Sequence, residues 1–179
     1  MGHKKNPDRF LSLILRHKPE EANIELDSNG WTDVSILIEK LSNMGYEVDM
    51  DILEEIVENN SKKRFVFNSN KSKIRASQGH SVDIDLQLKP QTPPDVLYHG
   101  TVGKALSGIF KDGIKKVSRH AVHLSHETET ATNVGSRRGS AVILKIDSKS
   151  MHVDGIKFFK SDNGVWLVDE VPSKYITKN

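Results

Sequence analysis

The sequence predicts an α+β protein in two domains, divided at a proline-rich stretch near its middle. Before that stretch, three segments with apolar residues at helical spacing are followed by two short strand-like segments. After it, five strand-like segments outnumber two helical ones. With 179 residues, each half is long enough to hold a modest hydrophobic core.

Composition excludes several classes of protein. Hydrophobic residues make up 36% of the chain and charged residues 28%, which is typical of a folded soluble protein and not of a disordered one. No apolar run approaches the roughly 20 residues of a membrane span, and the first residues lack an apolar signal core, so we expect a cytoplasmic location. The absence of cysteine excludes disulfides, thiolate zinc sites and cysteine nucleophiles.

The first domain, predicted at 1–87, has the element order of a winged helix. Its three helices have apolar stripes ending before Pro19, at Met44-Gly45 and at Asn59-Asn60. The predicted helix caps are Asp8, then Thr32 or Asp33, then Asp49 or Asp51. Strands at 64–68 and 73–77 follow, joined by a turn at 69–72. Three helices and a hairpin suggest contact with nucleic acid.

A basic run accompanies this hairpin. Between Lys62 and Arg75 there are six basic residues and no acidic one. Such a run is consistent with an RNA or DNA contact, and equally with a solvated strand edge that lysines protect from aggregation.

Residues 88–95 contain three of the six prolines and predict an extended linker. The second domain, 96–179, is mostly β. Its predicted strands are 96–99, 121–125, 141–146, 157–161 and 165–168, and its predicted helices are 102–111 and 127–134.

Three arginines and a histidine indicate a phosphate ligand. Arg16 and His17 end the first helix, Arg64 lies in the basic run, and Arg119 precedes a predicted strand of the second domain. The arginine side chain stays protonated and presents a planar fork of donors, so several arginines together neutralise a phosphate dianion. The alternative to phosphate binding is that Arg16 and His17 only stabilise the end of the helix as cations.

Two further motifs could meet a nucleotide. Tyr98-His99-Gly100-Thr101 is predicted to end a strand and enter a helix, and His123-Leu124-Ser125 places two polar side chains on one face of another strand. A hydrogen-bonded structural histidine is the alternative in each case. The loop with Arg137 and Arg138 could clamp a pyrophosphate or be solvated, and Gln78-Gly79-His80-Ser81 is equally ambiguous.

Several common cofactor sites are not indicated. The histidines lack the spacing of a zinc or iron site, and no acidic cluster resembles a magnesium site, so we expect no metal. Neither a Walker sequence nor a GxGxxG fingerprint is present, which disfavours P-loop and Rossmann chemistry.

Taken in order, these motifs closely resemble the RNA (tRNA) 2′-phosphotransferase family. The motifs are Leu15-Arg16-His17, Lys63-Arg64-Phe65, Ile74-Arg75-Ala76 before Gln78-Gly79-His80-Ser81, Tyr98-His99-Gly100-Thr101, Arg119-x-x-Val122-His123-Leu124-Ser125 and Gly135-x-Arg137-Arg138-Gly139. The resemblance extends over residues 10–175. The resemblance implies a winged-helix lobe that binds RNA and an ADP-ribosyltransferase-like lobe that binds NAD without a Rossmann domain.

The family's reaction implies that NAD is consumed as a co-substrate. An internal RNA 2′-phosphate, left at tRNA splice junctions, is transferred to NAD through an RNA-phospho-ADP-ribose intermediate. The products are RNA with a 2′-hydroxyl, ADP-ribose 1″,2″-cyclic phosphate and nicotinamide.

By the same resemblance, the catalytic residues are Arg16, His17, Arg64 and Arg119. The residues expected to bind NAD are His99, Gly100, Thr101, His123, Leu124, Ser125 and Arg138. Those expected to bind RNA are Lys63, Arg75, Gln78, His80 and Ser81. We expect the protein to be a monomer.

Two alternatives stay open. The same site could ADP-ribosylate a terminal phosphate on RNA or DNA and stop there, or the chain could be a winged-helix regulator that senses NAD without catalysis. Accumulation of ADP-ribose 1″,2″-cyclic phosphate would separate the first from the proposed reaction. Presence of all four catalytic positions argues against the second.

Overall fold

A computed structural model describes residues 5–128, 131–132 and 139–179 of the chain. The chain divides into two compact units, Met1–Gln87 and Leu88–Asn179. The described residues form five α-helices and several small sheets, which confirms the α+β class. The winged-helix and ADP-ribosyltransferase-like assignments of the two units stay predictions.

Three helices dominate the first unit. They are α1 (Pro7–Arg16), α2 (Val34–Asn43) and α3 (Met50–Asn59). Asp33 and Asp49 cap α2 and α3, as predicted. The predicted cap of α1 was wrong, because the side chain of Asn6 accepts from the Asp8 amide. Pro7 is suited to the first helical position, which shifts the cap to the residue before it.

A three-stranded antiparallel sheet completes this unit. Its strands are β1 (Thr32–Asp33), β2 (Phe65–Phe67) and β3 (Lys73–Ala76), in the order β1-β3-β2. The hairpin of β2 and β3 confirms the predicted pair, while β1 was not predicted because two residues are too short to show alternation. Leu11, Leu37 and Ile74 lie in the core beneath the sheet and are fully buried.

Nine short strands are described in the second unit. They are β4 (Pro90–Gln91), β5 (Leu97–Val102), β6 (Ile114–Lys115), β7 (Val122–Leu124), β8 (Ala141–Ile146), β9 (Phe158–Lys160), β10 (Trp166–Val168), β11 (Glu170–Val171) and β12 (Ile176–Lys178). They form sheets in the orders β4-β9-β10-β7, β12-β8-β5 and β11-β6, all with antiparallel pairs. The segment predicted as a linker therefore contains an edge strand, β4.

Helices of the second unit differ from the prediction in number and position. A 3-10 turn at Gly103–Ala105 leads into α4 (Leu106–Asp112). A further helix, α5 (Ser148–Val153), was missed, and its cap is Asp147, whose carboxylate accepts from the Ser150 amide. Part of the helix predicted at 127–134 lies outside the described residues.

Strand β5 continues through Gly100 and Thr101, so the expectation that this motif enters a helix was wrong. All six residues of β5 pair with β8, from Leu97 opposite Ile146 to Val102 opposite Ala141. The core of the unit contains Leu97, Leu144, Ile146 and Phe158, all fully buried. Within the described ranges, no helix is long and apolar enough to span a bilayer.

Candidate active site

Arg16 and His17 lie where α1 ends. Leu11, Ile14 and Leu15 on one face of α1 are fully buried, which places the next two residues at the edge of the core. Arg16 is half-buried, whereas His17 is exposed and forms the C-cap, with its amide donating to the Leu13 carbonyl over 2.9 Å.

A single segment without regular secondary structure, residues 77–81, contacts both of these residues and Arg64. The Ser77 amide donates to the Arg64 carbonyl over 2.8 Å, and the Ser81 amide donates to the Arg16 carbonyl over 2.9 Å. The Ser81 hydroxyl lies 2.8 Å from Nδ1 of His17. Three of the four predicted catalytic residues are therefore gathered along five residues of chain.

Gly79 lies next to the Arg16 side chain. Its φ is +89°, a conformation that favours glycine, and a Cβ at this position would lie 3.5 Å from Nε of Arg16. The backbone of the segment thus packs directly along the guanidinium of Arg16.

Arg64 is half-buried and lies just before β2. Its backbone is fixed at both ends, since its amide donates to the Asn60 side chain over 3.3 Å and its carbonyl accepts from Ser77. No hydrogen bond or ion pair joins its guanidinium to any residue that the structure describes. The donors of this side chain are thus suited to an anionic ligand.

Other residues of the predicted RNA-binding set have structural contacts. Arg75 is only 8% exposed, its guanidinium carbon lies 4.4 Å from the centroid of the Trp31 ring, and its Nη1 donates to the Asn29 carbonyl over 3.3 Å. His80 is 3% exposed and packs against the turn at Gly30, where a Cβ would lie 3.4 Å from its Nε2. These contacts indicate roles within the unit.

The two remaining members of that set differ in exposure. Gln78 is half-buried within the 77–81 segment, and Lys63 is exposed with its amine donating to the Glu58 carbonyl. Contact of either residue with RNA stays a prediction.

In the second unit, His99 and His123 lie where two strands meet. Tyr98 of β5 and Ser125 beyond β7 exchange two backbone hydrogen bonds of 2.7 and 2.9 Å. Next to this bridge, Nδ1 of His99 lies 3.2 Å from the His123 carbonyl. A carbonyl only accepts, so Nδ1 of His99 is the donor and carries a proton.

Arg119 joins the same group. It is exposed, lies in the loop between β6 and β7, and places Nη1 at 2.7 Å from Nδ1 of His123. Arginine is always a donor, so Nδ1 of His123 accepts and the neutral ring carries its proton on Nε2. The residue predicted to act on phosphate thus contacts one predicted to bind NAD.

The other predicted NAD-binding residues vary in accessibility. Gly100 is buried opposite Ile143, and Thr101 is half-buried opposite Val142. Leu124 is 1% exposed and packs in the core, whereas the half-buried Ser125 accepts from the Glu127 amide. Arg138 lies outside the described residues.

Two ion pairs next to the Arg119 loop were not predicted. Lys115 pairs with Glu170, and Lys116 pairs with Asp169. The first pair crosses the β6–β11 ladder, where these residues lie opposite each other. The sequence signal for these ion pairs was two consecutive lysines, Lys115 and Lys116, and two consecutive acidic residues, Asp169 and Glu170. Among the residues with described positions, no three acidic or histidine side chains form a metal-binding group.

The chain is similar to a known protein family over nearly its whole length. The family model for RNA 2′-phosphotransferase, Tpt1 / KptA family, matches residues 4–170. A protein of Flavobacterium johnsoniae named "Probable RNA 2′-phosphotransferase" is 55% identical over 96% of this chain and 94% of its own length. Proteins with the same name from Fusobacterium nucleatum and Burkholderia pseudomallei are 56% and 53% identical, each over 94% of this chain and over 94% and 91% of their own lengths. The chain therefore belongs to the RNA 2′-phosphotransferase family, a family of transferases.

Proposed function

We propose that this protein transfers an internal 2′-phosphate of RNA to NAD. In the first step, a phosphate oxygen attacks C1″ of the nicotinamide ribose, and the bond from C1″ to nicotinamide breaks. The intermediate is RNA-phospho-ADP-ribose. In the second step, the ribose 2″-hydroxyl attacks phosphorus and the bond to the RNA 2′-oxygen breaks. This leaves RNA with a 2′-hydroxyl and ADP-ribose 1″,2″-cyclic phosphate, and the proton of the 2″-hydroxyl passes to the departing RNA oxygen.

The observation that carries the proposal is the gathering of Arg16, His17 and Arg64 along the 77–81 segment. A 2′-phosphate monoester is a dianion near neutral pH, and charge-assisted hydrogen bonds from arginines are roughly twice as strong as neutral ones. The half-buried Arg64 guanidinium is the strongest single candidate for the phosphate contact, because its donors are not used by described residues.

His17 is suited to the proton transfers of the second step. An imidazole is the side chain that most often serves as a general acid or base in enzymes. Nδ1 lies 2.8 Å from the Ser81 hydroxyl, and we assign the proton transfer to Nε2. The helix dipole at the end of α1 disfavours an anion by about 0.3 to 1 kcal/mol, which bonds from the arginines should outweigh.

The second unit is suited to NAD. With Nδ1 donating to a carbonyl, the neutral His99 ring has Nε2 as an acceptor, and with Nδ1 accepting from Arg119, the neutral His123 ring has Nε2 as a donor. An acceptor and a donor on adjacent strands fit a ligand with both ribose hydroxyls and phosphates. Arg119 would stabilise charge that develops on phosphorus in the second step.

The test is incubation of the protein with NAD and an oligonucleotide bearing one internal 2′-phosphate. We expect loss of the phosphate from RNA with equal amounts of ADP-ribose 1″,2″-cyclic phosphate and nicotinamide. Stable ADP-ribosylated RNA without the cyclic phosphate, or no reaction of NAD, would contradict the proposal.

Three alanine variants assign the residues. Arg64→Ala and Arg119→Ala should each lower the rate by about 10²- to 10³-fold while the far-UV circular dichroism is unchanged, because each removes a donor to developing charge. Arg9→Ala is the matched control, since Arg9 is an exposed arginine of α1 outside the site. Wild-type rates in either folded variant would contradict the assignment of that arginine.

A further inference from the structure

The side chain of Asn60 bonds to the turn that joins α3 to β2. Asn60 is a polar residue only 7% exposed, and it follows the last residue of α3. Its Oδ1 accepts from the amides of Lys62 and Arg64 over 3.2 and 3.3 Å, while its carbonyl accepts from the Lys63 amide over 2.9 Å. Every backbone N–H from Lys62 to Arg64 is therefore bonded to Asn60.

Ser77 fixes the carbonyl side of the same turn. Its hydroxyl donates to the Lys63 carbonyl and its amide to the Arg64 carbonyl, each over 2.8 Å. Ser77 is 2% exposed, so these bonds are shielded from water. A further bond of 3.3 Å from Nδ2 of Asn60 to Oδ1 of Asp8 ties the turn to the start of α1.

This bonding keeps Lys63 in an unfavourable backbone conformation. Its φ is +46°, in the left-handed region that residues with a Cβ adopt at a cost. Such a conformation persists only where the surroundings fix it, and it is enriched at functional sites. Here the next residue is Arg64, the proposed phosphate ligand.

A simpler reading is that Lys63 serves only the end of α3. Its amine donates to the Glu58 carbonyl, and a cation at a helix C-terminus is stabilising. Stabilisation of the helix end needs the amine of Lys63 but not the positive φ of its backbone. The two readings therefore make different predictions for substitutions at this position.

We propose that Asn60 is a positioning residue that, together with Ser77, holds the turn at Lys63 and thereby directs the Arg64 side chain toward the RNA 2′-phosphate. The inference rests on the proposed function, because the phosphate contact of Arg64 is part of it. Asn60 acts through Arg64 and needs no contact with substrate.

The first test compares Asn60→Ala with Asn68→Ala. Asn68 is a matched control because its side chain also fixes a turn, accepting from the Lys73 amide over 2.9 Å and donating to Ser72 over 3.0 Å, but in the β2–β3 hairpin. We expect Asn60→Ala to lower kcat by about a hundred-fold, the cost of displacing a reacting group by an ångström, with the KM for NAD unchanged. Asn68→Ala should retain the wild-type kcat. A folded Asn60→Ala protein with wild-type kcat would overturn the inference.

The second test avoids the risk that loss of the buried Asn60 side chain unfolds the protein. Lys63→Gly and Lys63→Val both remove the amine, but only glycine adopts a positive φ without cost. We expect the kcat of Lys63→Val to be about ten-fold below that of Lys63→Gly, because the two variants share the loss of the amine and differ in the cost of a positive φ. Equal rates for the two variants would mean that backbone conformation is not what matters, and would overturn the inference. Lys71, at a φ of +57° in the hairpin, is the control position, where both substitutions should leave kcat unchanged.

A third measurement asks whether Asn60 acts through Arg64. Asn60→Ala in an Arg64→Lys background should cost much less than in wild type, because interacting residues are not additive. Additive losses would overturn the inference. The wild-type protein is assayed alongside: if it releases no 2′-phosphate the proposed function fails, whereas an active wild type with an equally active Asn60→Ala protein refutes only the role of Asn60.

Discussion

Nη1 of Arg119 donates a hydrogen bond of 2.7 Å to Nδ1 of His123. The bond determines which nitrogen of the histidine carries the proton, because the arginine cannot act as an acceptor. It also fixes an exposed arginine of a loop against a strand of the sheet. Under the proposed function, His123 holds Arg119 through Nδ1 and contacts NAD through Nε2.

Substitutions of His123 can separate these roles. The side-chain oxygen of asparagine occupies the position of Nδ1, whereas the terminal atoms of glutamine lie near Nε2. We expect His123→Asn to raise the KM for NAD but to retain kcat within about ten-fold, since Arg119 keeps an acceptor. His123→Gln should lower kcat more than His123→Asn does. The measurement is steady-state kinetics in NAD, and a lower kcat for the asparagine variant than for the glutamine variant would contradict the role of Nδ1.

Ser81 should matter through His17. Its hydroxyl lies 2.8 Å from Nδ1 of His17, an exposed side chain. We expect Ser81→Ala to slow 2′-phosphate removal by about ten-fold, because a hydrogen bond of about 1 to 1.5 kcal/mol orients the imidazole. Ser81→Thr, which keeps a hydroxyl, should recover most of the rate. If alanine and threonine variants were equally active, the hydroxyl would not orient His17.

Acid should weaken the fold through Asp33. The Ser35 hydroxyl and then the amide of Ile36 stabilise its carboxylate, which lowers its pKa below the ordinary value of 3.8. A carboxyl with a lowered pKa stabilises the folded state above its ordinary pKa, and that contribution is lost as pH falls through the folded pKa. Asparagine caps helices about as well but does not titrate. Urea unfolding near pH 7 and near pH 3 should therefore show a smaller acid-induced loss of stability in Asp33→Asn than in wild type, and equal losses would rule out this contribution.

Gly113 should tolerate no side chain. Its φ is +83°, and an added Cβ would overlap the carbonyl oxygen of Val171 in the β6–β11 ladder. We expect Gly113→Ala to lower the free energy of unfolding by about 2 to 4 kcal/mol, from strain and overpacking together. Gly155 is a matched control with a φ of +93° and no atom within 4 Å of an added Cβ. Gly155→Ala should lower the free energy of unfolding by only about 1 to 2 kcal/mol, the cost of a left-handed backbone for a residue with a Cβ. Equal losses of stability at the two positions would show that the contact with Val171 is unimportant.

The helices of the first unit could be predicted because each has a local signal. Asp33 and Asp49 precede apolar stripes at helical spacing, and the structure confirms both caps. Strands of two residues, such as β1 and β6, are too short for an alternation pattern, and they exist only through pairing with distant segments. These strands were not predicted because two residues cannot show the alternation of apolar and polar side chains.

For the site, the sequence indicates candidate residues but not the contacts between them. The sequence distinguishes Arg16, His17, Arg64 and Arg119 as suited to phosphate, yet gives no indication that residues 77–81 would connect three of them. The bond between His17 and Ser81 joins residues 64 positions apart. RNA contact of Arg75 stays a prediction, and its packing on the Trp31 ring is a contact that the basic run did not indicate.

Conservative replacements should separate the two chemical steps of the proposed reaction. In the first step the phosphate is the nucleophile and needs orientation, whereas in the second it must accept added charge as the 2″-hydroxyl attacks phosphorus. Arg119→Lys keeps the charge but loses the planar fork, including the geometry that places Nη1 on His123. His17→Asn removes the imidazole that we assign to proton transfer in the second step.

We therefore expect both variants to slow the second step more than the first. ADP-ribosylated RNA should accumulate transiently and migrate more slowly than substrate in a denaturing gel, before decaying to product. Arg9→Lys serves as the control, because Arg9 is an exposed residue of α1 outside the site and its replacement should give wild-type time courses. Uniform slowing without an intermediate would place Arg119 and His17 in substrate binding or in the first step, since a residue that acts only on the second step cannot delay formation of the ADP-ribosylated RNA.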